Sequence, residues 1–328
     1  MNFGELFSKF NSLRVAVIGD LMLDTYCWGN VDRISPEAPV PVVSLKRKEL
    51  RVGGAANVAL NCVSLGAKTT IFSVIGADDE AKELLGLLSE NQISTKGVIC
   101  SNKRITTNKT RIMSRNQQMM RLDAEITTDL DNSLEADLFE QVKSFFQNNP
   151  PDILIFEDYN KGVLTEGLIS RLIGLCKEYK VITSVDPKRK NFLSYKGVTI
   201  FKPNLKEIKE GLNLLTDASD LPALQQMHEK LKAALEHEIS LITLSEKGVF
   251  YAQDDEVKII PTHIRNIADV SGAGDTVIAV SSLVYASSQN MNLAAEMANI
   301  AGGLVCEEVG TVPVQKERLL RESELLLG

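Results

Sequence analysis

The stretch Asp269-Val-Ser-Gly-Ala-Gly-Asp-Thr-Val-Ile278 sets three small residues, Gly272, Ala273 and Gly274, directly before an acid, Asp275, and an apolar run that reads as a helix. Glycine lets the backbone turn tightly and brings its N–H groups close to a ligand. A helix N-terminus adds unpaired N–H donors and a partial positive charge, and together these make an anion hole. An acid at that mouth repels a bound phosphate unless it has another task, such as taking the proton from a hydroxyl that attacks a phosphoryl group. A plain helix cap is the other reading of the same residues.

Outward from this stretch, short and nearly continuous apolar runs alternate with helical patterns. Strands are expected at 14–18, 69–74, 153–156, 181–185, 198–201 and 240–244, the signature of parallel strands covered on both faces. Helices are expected at 55–65, 79–90, 133–147, 165–179, 205–212, 221–235, 275–286, 293–309 and 315–327. The alternation predicts a single α/β domain over 1–328: a doubly wound, mainly parallel sheet flanked by helices, with ligands at the carboxyl ends of the strands. Two segments break the rhythm. Residues 31–50 carry Pro36, Pro39 and Pro41 and read as edge strand and turn, and residues 105–122 alternate polar and apolar. Together they predict a small β-sheet lid over the site.

Composition narrows the function. A net charge of −7 argues against nucleic-acid or acidic-membrane partners, yet leaves room for a local basic pocket. No apolar run reaches the length of a membrane span, so a cytoplasmic protein is expected. Cys27, Cys62, Cys100, Cys176 and Cys306 are scattered and lack metal-ligand spacing, which suits reduced core cysteines. His228, His237 and His263 lie far apart in the sequence and are expected at the surface.

Candidate site residues sit where strands end. The run 15–18 leads into Asp20 and Asp24; a carboxylate there can accept paired hydroxyls, or simply hold a turn. Gly53-Gly54-Ala55-Ala56-Asn57 precedes an apolar helix and permits close backbone approach, with Asn57 free to bond a sugar; a tight turn explains it equally well. It matches neither the dinucleotide nor the P-loop glycine spacing. Asn204 and Glu207 lie three apart at a helix start, so they could hold Mg²⁺ through water or form a capping box. Thr243, Ser245 and Gly248 lie in a turn suited to nucleotide contact or to a hairpin.

The order of a strand with Asp24, then Gly53-Gly54, then Pro203-Asn204-x-x-Glu207, then Gly272-Ala273-Gly274-Asp275 resembles the ribokinase-like sugar kinases, the PfkB family, over about residues 14–312. Arg33-Ile-Ser-Pro-Glu-Ala-Pro-Val-Pro-Val42, Ser114-Arg-Asn-Gln-Gln118 with Arg121-Leu-Asp123, Asp158-Tyr-Asn-Lys-Gly162 and Asp186-Pro-Lys188 look like the branch that phosphorylates D-glycero-β-D-manno-heptose 7-phosphate. The resemblance implies transfer of a phosphoryl group from ATP to the C1 hydroxyl, on the route to ADP-heptose for the lipopolysaccharide core. It implies Mg²⁺ with ATP and leaves a monovalent cation open. By position, Asp275 is then the catalytic base, Gly272–Gly274 the anion hole, and Asn204 and Glu207 the nucleotide and metal motif, with Thr243, Ser245 and Gly248 beside the nucleotide. Asp24, Gly53, Gly54 and Asn57 fall at sugar-binding positions.

A sugar that already carries a phosphate needs cations, and Arg115, Arg121, Lys161 and Lys188 lie in segments expected to approach the sugar, as does Asp158. Ser271 stands where the family usually has Thr, Met22 where ribokinase carries a sugar-binding Asn, and Glu157 before Asp158 is unusual. Without an H-x-G-H nucleotidyltransferase motif, the chain resembles a free-standing kinase or the kinase half of a bifunctional protein. Lid edge strands in the family often pair between chains, which implies a homodimer. Two alternatives stay open: a kinase acting on another phosphosugar, and a non-catalytic sugar- or nucleotide-binding relative.

Overall fold

Period-two burial along the first strand sets the architecture. In the computed structural model, which describes residues 2–115, 117–215 and 218–328, Val15 and Val17 of β1 (Arg14–Gly19) enter one hydrophobic cluster, and Ala16 and Ile18 enter another. Ile153 and Ile155 divide from Leu154 and Phe156 in the same way. Strands buried on both faces need helices on both faces.

After α1 (Phe3–Phe10) and β1, the chain forms β2 (Leu21–Ile34), β3 (Pro41–Gly54), α2 (Ala55–Ser64), β4 (Lys68–Gly76), α3 (Asp79–Glu90) and β5 (Ser94–Ser101). Next come β6 (Thr107–Ser114), β7 (Gln117–Ala124), α4 (Asn132–Asn148), β8 (Ile153–Glu157), α5 (Glu166–Tyr179), β9 (Ile182–Asp186) and β10 (Ile200–Phe201). The C-terminal part holds α6 (Leu205–Gly211), α7 (Leu221–Leu235), β11 (Ile239–Thr243), β12 (Val249–Gln253), β13 (Glu256–Ile260), α8 (Ala273–Ser288), α9 (Met291–Val305) and α10 (Lys316–Leu327).

Nine strands form the main sheet in the order β13-β12-β11-β10-β9-β8-β1-β4-β5, parallel from β11 to β5 with an antiparallel hairpin at the β13 edge. One core cluster lies under α1, α2, α3, α8, α9 and α10; the other lies under α4, α5 and α7. The helix starts follow the side chains that cap them: Asp78, Asp131, Thr165 and Asp220 each accept an N–H of the first turn.

The lid is a separate four-stranded sheet, β3-β2-β6-β7, in which β2 pairs antiparallel with β3 and parallel with β6. It starts earlier than expected: β2 begins at Leu21, with only Asp20 between it and β1, and β3 runs to Gly54. Two edge strands, β5 and β13, carry no continuous apolar run and were not expected, because an edge strand keeps a wet side. Strand β10 is confined to Ile200–Phe201, and α9 stops at Val305 instead of running to 309. Among the described residues no helix is long and apolar enough to cross a membrane, and all five cysteines are free.

The surface placement expected for the histidines fails for two of them. His228 and His237 are buried and share the Ser240 hydroxyl, at 2.9 Å from Nδ1 and 2.6 Å from Nε2. Burial, aided by His228 and Lys232, lowers the His237 pKa from 6.5 to about 3. The folded protein therefore refuses a proton that the unfolded chain accepts as pH falls below about 6.5, so stability is lost through that window down to about 3. Between pH 8 and pH 5 in urea titrations, the wild type should lose on the order of 2 kcal/mol of stability relative to His237→Gln, in which this linkage is absent. Parallel stability curves for the two proteins would remove His237 as the source.

Candidate active site

Acids gather at the carboxyl ends of β1, β8 and β9 because parallel strands in register deliver them there. Glu157 lies beside Gly19 on one side and Asp186 on the other. Glu157 is fully buried, and neither of its carboxylate oxygens has a hydrogen-bond partner. Burial, then the charges of Asp186 and Asp275, push its pKa well above the ordinary range. Together Glu157, Asp186 and Asp275 place carboxylate oxygens within 4.8 Å of one another, a group that could hold a metal ion. The orphaned oxygens of Glu157 give the unusual residue noted in the sequence a physical role, since a cation would satisfy them.

Two lysines compensate the cluster. Lys202, 2% exposed, lies 2.7 Å from Asp186, and Lys188 lies 3.2 Å from Asp186 and 2.6 Å from Glu207. Burial works to raise the Asp186 pKa, but these ammonium groups hold it below the usual range. Sequence reading missed Lys202, although Lys202-Pro203 directly follows the apolar run of β10.

Asp275 sits in the first turn of α8, and burial raises its pKa to about 6. The helix terminus alone would keep the acid ionised at lower pH; burial outweighs it. Two donors restrain the shift: Asn57 Nδ2 donates to Oδ2 at 2.7 Å, and the Tyr159 hydroxyl donates to Oδ1 at 2.8 Å. Gly272 caps the helix at φ 79°, and a Cβ there would lie 2.8 Å from Asn57 Nδ2. A side chain at this position would thus strain the backbone and push away a partner of the acid. No side chain caps α8, which leaves first-turn N–H groups beyond Ala273 open to an anion.

The other expected residues divide into groups. Asp24 is buried, accepts from Arg111 at 2.6 Å, and has room because a Cβ on Gly53 would stand 2.5 Å from its Oδ2. Gly54 ends β3 directly before α2. Asn204 and Thr243 meet in a parallel bridge, which brings two segments of the expected nucleotide site together. Ser245 is exposed, and Gly248 turns the chain at φ 98°.

Glu207 and Asn204 form the capping box, and with Lys188 on its other oxygen Glu207 has both carboxylate oxygens engaged. A metal held through water at Glu207 would compete with those bonds, whereas Glu157 has none to lose. Asp158 accepts from Asn160, Asn191 and Tyr195 and is 1% exposed, so its carboxylate ties the loop after β8 to the segment after β9. Asp20 likewise accepts three backbone N–H groups, from Tyr159, Lys161 and Val163.

Among the expected cations, Lys161 pairs with Glu125 at 2.7 Å and Arg121 with Asp123 at 2.8 Å. Arg115 lies exposed in the β6–β7 turn at φ 47°. It stands six residues, about 20 Å of strand, beyond the level at which β6 passes Asp24. This chain does not bring Arg115 to the acids, and Asn116 of the same motif lies outside the described residues.

The profile of the pfkB family carbohydrate kinases matches residues 12–318. The chain belongs to that family. Among curated relatives, the bifunctional protein HldE of Syntrophotalea carbinolica is 39% identical over 322 residues, which cover 97% of this chain and 64% of the relative. HldE of Methylobacillus flagellatus is 41% identical over 308 residues, covering 94% of this chain and 62% of the relative. The chain therefore spans less than two thirds of those proteins. Phosphofructokinase-2 from Escherichia coli, solved with potassium, superposes with a TM-score of 0.79 at 16% identity, covering 96% of this chain and all of that one. Arabidopsis thaliana ribokinase with ribose and ATP gives 0.72 at 16% identity, covering 94% and 99%. This pfkB-family carbohydrate kinase thus has the ribokinase-like α/β fold with a small second sheet.

Replacing Lys202 by Met should cost about 3 kcal/mol in urea denaturation, because Asp186 loses one of the two charges that allow it to stay buried and ionised. A loss below about 1 kcal/mol would mean that water already solvates the Asp186 carboxylate.

Proposed function

We propose that this kinase transfers the γ-phosphoryl group of ATP to the C1 hydroxyl of D-glycero-β-D-manno-heptose 7-phosphate, giving the 1,7-bisphosphate and ADP. The observation that carries the kinase chemistry is Asp275, buried at an uncapped helix mouth and oriented by Asn57 and Tyr159. The heptose phosphate is supported by the four motifs that single out that branch of the family, and by the HldE relatives over nearly the whole chain.

With a pKa near 6, Asp275 is mostly ionised at neutral pH yet basic enough to accept the hydroxyl proton as the oxygen attacks phosphorus. The open N–H groups of α8 stabilise charge on the transferring phosphoryl group. Asp24 orients sugar hydroxyls, and the segments of Asn204 and Thr243 bind the nucleotide. Mg²⁺ bound with ATP would neutralise phosphate charge; Glu157 and Asp186 are the residues that fit it, and Lys188 and Lys202 limit the repulsion between them. A monovalent cation is a further requirement to test, given the potassium in the phosphofructokinase-2 structure.

A homodimer joined through the lid is part of this reading. Ile34, Leu45, Met120 and Leu122, all on lid strands, are 54–60% exposed, as a face awaiting a second copy would be. Sedimentation should give a dimer that Leu122→Glu weakens; a wild-type monomer at micromolar concentration would exclude it. Free cysteines and an ATP requirement fit a cytoplasmic enzyme.

Asp275→Asn keeps the shape of the acid and loses the base. Its kcat should fall roughly a hundred- to ten-thousandfold, with KM for both substrates little moved. ADP release across phosphorylated and free sugars identifies the acceptor. A variant that keeps most of its kcat, or a wild type inactive on the heptose phosphate, would refute the proposal.

A further inference from the structure

Most cations at the sugar end of the cleft already have counter-charges. Lys188 is held by Asp186 and Glu207, Lys161 by Glu125, Arg111 by Asp24 and Arg121 by Asp123. Lys109 differs. It is half-buried on β6, and among the described residues it forms no ion pair and donates no side-chain hydrogen bond. Its Nζ lies 5.1 Å from the centre of the Tyr159 ring, whose hydroxyl holds Asp275.

Strand register fixes where this ammonium stands. Lys109 lies opposite Asp24 in the parallel β2–β6 pair, and Arg111, two residues on, shares its face and binds Asp24. Lys109 is thus set between the acid expected to hold sugar hydroxyls and the tyrosine that orients the base. Burial strips its hydration and lowers its pKa; Asp24 opposes the shift, while Lys161 and Arg121 add to it. Asp24 is already shared with Arg111, so the local charge is left positive.

We propose that Lys109 is a specificity-determining residue that takes the phosphate already carried by the sugar substrate. A flexible ammonium is a point charge well suited to a phosphate oxygen. A neutral sugar would leave it half-buried and unpaired, which is unfavourable. A phosphosugar supplies the missing anion, and this separates phosphorylated from free sugars at the lid. The proposal rests on the phosphosugar-kinase reading above.

The test compares wild type, Lys109→Met and Lys109→Arg in the full chain. ADP release is followed with the phosphosugar that wild type uses best, with its unphosphorylated form, and with ATP varied. Lys109→Met should raise KM for the phosphosugar roughly ten- to a hundredfold and shrink the kcat/KM preference for phosphorylated over free sugar by a similar factor. KM for ATP should stay in place, and Lys109→Arg should keep most of the preference. Equal losses on both sugars, a rise in KM for ATP instead, or an unchanged preference would each overturn the assignment. A wild type that favours a different phosphosugar refutes the heptose reading while still testing Lys109. A wild type that favours no phosphorylated sugar refutes both.

Discussion

The grip of Lys188 and Lys202 on Asp186 is the interaction on which the site depends. Strand register places Glu157 beside Asp186, and helix α8 brings Asp275 within reach of both. Three buried carboxylates at that spacing repel one another strongly in a medium that screens poorly. The two ammonium groups let Asp186 remain ionised, while Glu157, without a hydrogen bond, is pushed toward its protonated form. What this corner leaves incomplete is the pair of Glu157 oxygens, which a cation would satisfy.

The loop after β8 links that corner to the lid. Asp20 and Asp158 bind the loop internally, which fixes Tyr159 so that its hydroxyl meets Asp275. The same ring faces Lys109 from the lid at 5.1 Å and Lys188 from the sheet at 5.4 Å. Asp275, the lid lysine and Lys188 therefore all meet one side chain of this short segment. Asp20 accepts three backbone N–H groups of this loop, and Asp158 ties it to the Asn191 amide and the Tyr195 hydroxyl.

Membership in the pfkB carbohydrate kinases accounts for the layout without fixing the sugar. The solved neighbours share the fold at 16% identity, a level at which individual contacts do not carry over. On the reading proposed above, specificity comes from the lid, through the charge that is left unpaired there. Cations chosen from the sequence as phosphate ligands mostly turn out to have acidic partners within the chain.

Much of the fold was legible in the residues. The helices at 79–90 and 221–235 appear with those bounds, since capping acids and apolar spacing are local signals. Interior strands were legible because burial on both faces writes a continuous apolar run; the edge strands β5 and β13 were not, because one side stays wet. The Gly-Ala-Gly-Asp turn and the capping box at Asn204 are likewise local, and the sequence determined them by itself. Only the tertiary structure decided which charges meet. Tyr159 reaches Asp275 across 116 residues and Asn57 reaches it across 218, and neither contact leaves a spacing to read. Lys202 shows its purpose only when β9 and β10 lie side by side, and Lys109 stands apart only once its neighbours have found their acids. Charge pairing is set by distance in space, whereas capping and periodicity are set by distance along the chain.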